Sequence, residues 1–118
     1  MGPSESTVLR TLQLRSDIWV AAFLRRAGVN GGFAALRRRG AAEAGAIYVL
    51  VDRLDGRAAL FAPAPSVDGE RRFLRVHAAE WIDPAQAEAR LQRQLGFDPD
   101  MWIVELESRD GTHWLDLG

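Results

Sequence analysis

Hydrophobic positions fall into two periods along this chain, one helical and one extended. Ile18 to Leu24 (IWVAAFL) is apolar at seven consecutive positions and follows Ser16-Asp17, residues suited to capping a helix N-terminus. The pattern predicts a helix from about Asp17 to Ala27, closed near Gly28, with Arg25 and Arg26 favourable in its last turn. A helix apolar nearly all round is buried on more than one side, so a place between a sheet and a second copy of the protein is expected. A second helix is predicted after Asp83-Pro84, with proline at its first position. Ala87, Leu91 and Leu95, at i, i+4 and i+8, form its apolar stripe, and Gly96 ends it.

The strands follow from period two and from β-branched content. Gly45 to Arg53 (GAIYVLVDR) is nearly continuously apolar and reads as a central, covered strand. Leu54-Asp55-Gly56 supplies a hairpin turn, and Arg57 to Ala62 returns as its partner until Pro63 and Pro65 stop it. Phe33 to Arg39 and Arg71 to His77 are further strands. Met101 to Glu107 is the last long one, with Trp102, Val104 and Leu106 on one face and Ile103, Glu105 and Glu107 on the other. Asp110-Gly111 turns the chain, and Thr112 to Leu115 pairs back. Leu9 to Arg15 alternates weakly, as a short strand or arm. Consecutive hairpins between two helices predict an α+β fold, a mostly antiparallel sheet of about five strands with two helices packed on it. Residues 1–8 are expected to form a flexible N-terminal segment and residues 9–118 one domain, which suits a chain of 118 residues.

Composition narrows the chemistry. There is no cysteine, which excludes disulfides, iron–sulfur clusters and thiolate zinc sites and fits a cytoplasmic location. The opening residues lack the apolar core of a secretory signal, and no apolar run approaches the roughly 20 residues of a membrane span. All fifteen basic residues are arginine, so lysine Schiff bases and phosphate-loop lysines are excluded. Residues 1–75 hold twelve arginines against seven carboxylates, a net of +5, and residues 76–118 hold three against nine, a net of −6. Halves of opposite sign can neutralise each other in the fold.

The segments SDIWVAAFLRRAG, ALRRRGAAEAGAIYVLVDRLDGRAALFAPAP and RQLGFDPDMWIVELESRDG resemble an uncharacterised family of small bacterial proteins, domain of unknown function 1491. The resemblance runs from about Leu14 to Asp110. It is most specific at Asp17-Ile18-Trp19 and at Phe97-Asp98-Pro99-Asp100-Met101-Trp102. It implies a stand-alone bacterial cytosolic domain and assigns no catalytic residue.

Candidate chemistry is sparse. Asp98, Asp100, Glu105 and Glu107 could offer four oxygens to Mg²⁺ or Ca²⁺, but a solvated strand face beside an Asp-held turn accounts for them better. No metal and no cofactor is expected. Arg37, Arg38 and Arg39, with Arg37 and Arg39 on one strand face, could join Arg25, Arg26, Arg71, Arg72 and Arg75 in a basic patch for phosphates. The net charge of −1 and the lack of aromatics interleaved with the arginines place nucleic acid third among the readings. Gly28 to Gly32 follows a helix instead of leading into one, so a helix C-cap explains it better than a phosphate loop. His77 and His113 have no metal-ligand spacing. Trp19 and Trp102 are read as core anchors; Trp81 and Trp114, near element ends, could be partly exposed anchors for a protein partner, but the core reading is favoured for them too.

The leading expectation is a non-catalytic module that binds protein, either itself as a homodimer or another bacterial protein, away from membranes. The alternative is a small enzyme or ligand-binding protein that holds an anionic substrate through arginine. A pocket combining Arg26 or Arg53 with Asp17 and Trp19 would favour it.

Overall fold

A computed structural model describes residues 14–66 and 68–118. The expected flexible segment 1–8, and all of the weak strand Leu9 to Arg15 except its last two residues, lie outside them. The described elements are α1 (Ser16–Val29), β1 (Phe33–Arg38), β2 (Ile47–Asp52), β3 (Ala58–Ala64), β4 (Arg72–Arg75), α2 (Pro84–Phe97) and β5 (Trp102–Glu107). They form an α+β fold around one five-stranded sheet of order β1-β5-β2-β3-β4.

All neighbouring strands are antiparallel except β2 and β5. Hairpins account for β2-β3 and β3-β4. The chain does not continue the meander from β1 to β2, because β5 inserts between them and pairs with both. The apolar run of β2 is thereby explained: it is interior in the sheet and covered on both faces. On one face Val20, Phe23 and Ala27 of α1 pack against Val49, Val51, Phe61, Phe73, Trp102, Val104 and Leu106. On the other, Ala87 and Leu91 of α2 pack against Leu50, Ala58, Leu60, Met101 and Ile103. The predicted two-faced reading of β5 therefore holds, and each face has its own helix.

Several local expectations are corrected. Ser16 and Asp17 do not cap α1. The helix begins at Ser16, and its first N–H groups find carbonyls instead: Ser16 N donates to Glu43 and Asp17 N to Ala42. The loop before β2 satisfies these donors, so no side-chain cap is needed. Asp83 does cap α2, accepting from the Ala85 N–H at 2.7 Å with Pro84 following it. Gly96 does not end α2, which continues to Phe97. Pro63 does not stop β3: it stands opposite Phe73, beyond the last residue of β3 that pairs with β2, where its missing N–H breaks no ladder bond. Thr112 to Leu115 forms no strand. The chain instead reaches β4 further on, where Phe73 N donates to Asp116 and Gly118 N to Phe73.

A bulge interrupts β1 between Leu36 and Arg38. It separates side chains that strict alternation would put together. Arg37 reaches Glu88 and Glu105 on the α2 side, whereas Arg39 lies over the Trp102 ring, on the α1 side.

Candidate functional site

The helix α1 carries two opposed apolar stripes. Ser16, Val20, Phe23 and Ala27 are buried against the sheet. Half a turn round, Ile18, Ala21, Ala22 and Val29 face outward and line a shallow groove with Arg25, Arg26 and Asn30. Ile18 is 50% exposed and Val29 80%. Asn30 also borders a second concavity, whose wall includes Phe33, 60% exposed at the start of β1. Asn30 thus stands between the helix stripe and Phe33 on β1, a strand that pairs only with β5 among the described residues. The sequence suggested a helix between the sheet and a second copy; within the chain the sheet covers one side, and the other carries the outward stripe.

Beside α1, on the flank facing the C-terminal segment, lies a crevice of about 180 Å³. Its walls are aromatic: Trp19, Phe23, Phe73 and Trp114. Trp19 stacks on Phe23 with ring centroids 5.0 Å apart and tilts against Phe73 at 5.2 Å. Trp114 holds a φ of 56°, an unusual conformation for a bulky residue. Its ring closes on Gly32, where a Cβ would stand 2.8 Å from the indole. The charged members are Arg26, Arg71 and Asp116. Arg71 Nη2 donates to the Leu14 carbonyl at 2.8 Å and to Ser16 Oγ at 3.1 Å. Its Nε is buried without an acceptor. No carboxylate among the described residues forms an ion pair with it, and burial pulls the guanidinium below its ordinary pKa.

The candidate residues separate. Trp19 and Arg26 meet in the crevice. Asp17 lies outside it, paired with Arg15 at 3.2 Å, and the hydrogen bond from Arg15 holds its carboxyl below the ordinary range. Arg53 is elsewhere, donating to the Arg109 carbonyl and stacking 4.9 Å over Trp81. Asp98 accepts from the Asp100 N–H, an Asp-held turn at the end of α2. Glu105 pairs with Arg37; burial nonetheless pushes its carboxyl up. Among the described residues no group of three or more His, Asp or Glu side chains is arranged to hold a metal ion.

The arginines are likewise spent on separate partners. Arg37 pairs with Glu88 at 2.6 Å, Arg72 with Asp68 at 2.9 Å, and Arg38 donates to the Pro99 carbonyl. Arg75 lies over Phe61 and Trp81. Trp81 is therefore contacted by both Arg53 and Arg75. Sequence reasoning missed Arg71, Trp114 and Asp116 as neighbours of Trp19. Only the pairing of the C-terminal segment with β4 brings them there, and no local pattern announces it. Among the described residues no helix is long and apolar enough to cross a membrane.

The sequence pattern of a family described as "Protein of unknown function (DUF1491)" matches residues 14–116. A crystal structure of a DUF1491 family protein from Caulobacter crescentus CB15 is 42% identical, with a TM-score of 0.77 over 89% of this chain and 99% of that one. An NMR structure of a DUF1491 family protein from the same organism, also 42% identical, has a TM-score of 0.77 over 91% and 98%. The solution structure of a protein from A. tumefaciens is 37% identical, with a TM-score of 0.77 over 90% and 95%. No curated protein matches the chain.

Proposed function

The chain belongs to the DUF1491 family, proteins of unknown function, and on that footing we propose that it is a non-catalytic interaction module that associates with a second copy of itself through the outward stripe of α1. The observation that carries this reading is the stripe itself. Ile18, Ala21, Ala22 and Val29 repeat at helical spacing directly opposite the buried stripe, and they face solvent. Exposed apolar side chains grouped on one helix face are of the kind that marks an interface.

Its sequence is self-complementary. An antiparallel pairing of two α1 helices about the midpoint between Phe23 and Leu24 sets Ile18 opposite Val29, Ala21 opposite Arg26 and Ala22 opposite Arg25. The large apolar residues meet at the ends. The small alanines at the centre leave room for the arginine stems, whose heads reach water. No guanidinium faces its own copy, as a two-fold interface requires of like charges. The open edge of β1 lies beside this face and can extend the contact.

Sedimentation equilibrium tests it. The full chain is expected to be a dimer at micromolar concentration, and Ile18→Glu, which buries a charge at the contact, to be a folded monomer. A wild-type monomer throughout that range overturns the reading.

A second reading, binding of an anionic ligand, is favoured by one observation: Trp19 and Arg26 share a crevice with Arg71, a partly buried cation with no carboxylate partner among the described residues.

A further inference from the structure

We propose that the crevice between α1 and the C-terminal segment is a binding site for a small monocarboxylate with a single-ring or similarly compact apolar body. The inference rests on the anionic-ligand reading, and because Ala22 and Arg26 line both the crevice and the outward groove of α1, it is tested on the monomeric Ile18→Glu variant as well as on the wild type.

Three features define the ligand. The first is size. A cavity of about 150 Å³ lined by apolar side chains accepts a benzene ring, and this one is about 180 Å³. The second is wall chemistry. Trp19, Phe23, Phe73 and Trp114 offer flat apolar surfaces that favour a ring over a flexible chain. The third is charge. Arg26 and Arg71 against Asp116 leave one net positive charge, which matches a monoanion and not a phosphate dianion.

Arg71 carries the argument. A guanidinium taken partly out of water loses hydration, and a counter-ion normally offsets that loss. Here the charge is held in place by the Leu14 carbonyl and the Ser16 hydroxyl, two neutral acceptors, and Nε has none. The guanidinium is therefore ordered through Nη2 before any ligand arrives, and a carboxylate accepts from a guanidinium in a charge-assisted contact. Arg26, exposed at the rim, supplies the second cation.

The test is NMR titration of the full chain, read at the two indole N–H signals of Trp19 and Trp114. The probes are phenylacetate, 2-phenylethanol, acetate and phenyl phosphate. Saturable shifts with phenylacetate at millimolar concentration or below are expected, with 2-phenylethanol and acetate at least about ten-fold weaker, the factor that 1.4 kcal/mol represents. Arg26→Gln, an exposed change that leaves the core intact, should weaken phenylacetate about ten-fold. Ala22→Trp, at the mouth, should abolish binding. Ile18→Glu, which does not line the crevice and frees its mouth from the self-contact, should bind phenylacetate at least as tightly as the wild type. No saturable shift with phenylacetate overturns the proposal. So does equal binding of 2-phenylethanol, which removes the arginines from the account, or tighter binding of phenyl phosphate, which removes the monocarboxylate.

Discussion

The hydroxyl of Ser16 donates to the carbonyl of Gly45 at 2.6 Å, fastening the first residue of α1 to the segment that leads into β2. Both residues are buried. The same hydroxyl accepts from Arg71 at 3.1 Å, so helix, sheet and crevice meet at one side chain. Ser16→Ala leaves the Gly45 carbonyl without its partner and should lower stability by about 2 kcal/mol. Urea unfolding reads this directly. A loss near zero would show that the bond adds nothing beyond what water supplies.

Glycines divide sharply by what surrounds them. At Gly40 a Cβ would stand 2.2 Å from the Asp100 carbonyl oxygen, a backbone atom that cannot move aside alone. Gly40→Ala should therefore destabilise by about 3 kcal/mol. Gly28 in α1 and Gly96 in α2 have open space where a Cβ would go. Gly28→Ala and Gly96→Ala should each stabilise by about 0.5–1 kcal/mol through helix propensity. Thermal unfolding of the three variants checks both signs.

Acidification should weaken the fold through its histidines. Burial pulls both imidazoles below their ordinary value near 6.5, and Arg75 lowers both further. The neutral form is built in: His77 Nε2 accepts from the Leu60 N–H at 3.0 Å, and His113 Nδ1 from the Leu115 N–H at 3.1 Å. The unfolded chain takes up these protons at higher pH than the folded one. Stability is then fully present above pH 6.5 and declines as pH falls through that value toward the lowered folded pKa values. Denaturant midpoints between about pH 8 and 5 should follow this course. A midpoint that rises on acidification over that window would contradict it.

The cap of α2 offers a simpler measurement. Asp83→Ala removes the acceptor for the Ala85 N–H and should cost about 1 kcal/mol. Asp83→Asn, which keeps an acceptor, should recover most of it.

Much of the fold was legible because local signals decide it. The Asp83-Pro84 start of α2, its Ala87–Leu91 stripe, the apolar run of β2 and the two faces of β5 each follow from period and capping. What was illegible depends on partners distant in the chain. Alternation says which side chains share a face, not which strand lies beside which, so the insertion of β5 between β1 and β2 left no trace. Ser16 looks like a cap in sequence and serves as a cross-brace, because the carbonyls of Ala42 and Glu43 already satisfy the helix start. Arg37 and Arg39 part company at a bulge that no residue type announces. For the crevice, Trp19 and Arg26 were readable as one helix face, while Arg71, Trp114 and Asp116 arrive through tertiary pairing alone.

The central claim, self-association through the outward stripe of α1, is tested most directly by engineered cross-linking, since the chain has no cysteine of its own. Ile18→Cys and Val29→Cys are made as separate single variants and oxidised alone and mixed. The antiparallel pairing predicts a disulfide-linked dimer in the mixture and little in either variant alone, because Ile18 faces Val29 of the second copy. Equal cross-linking of Ile18→Cys with itself, or no dimer in the mixture, would contradict the account.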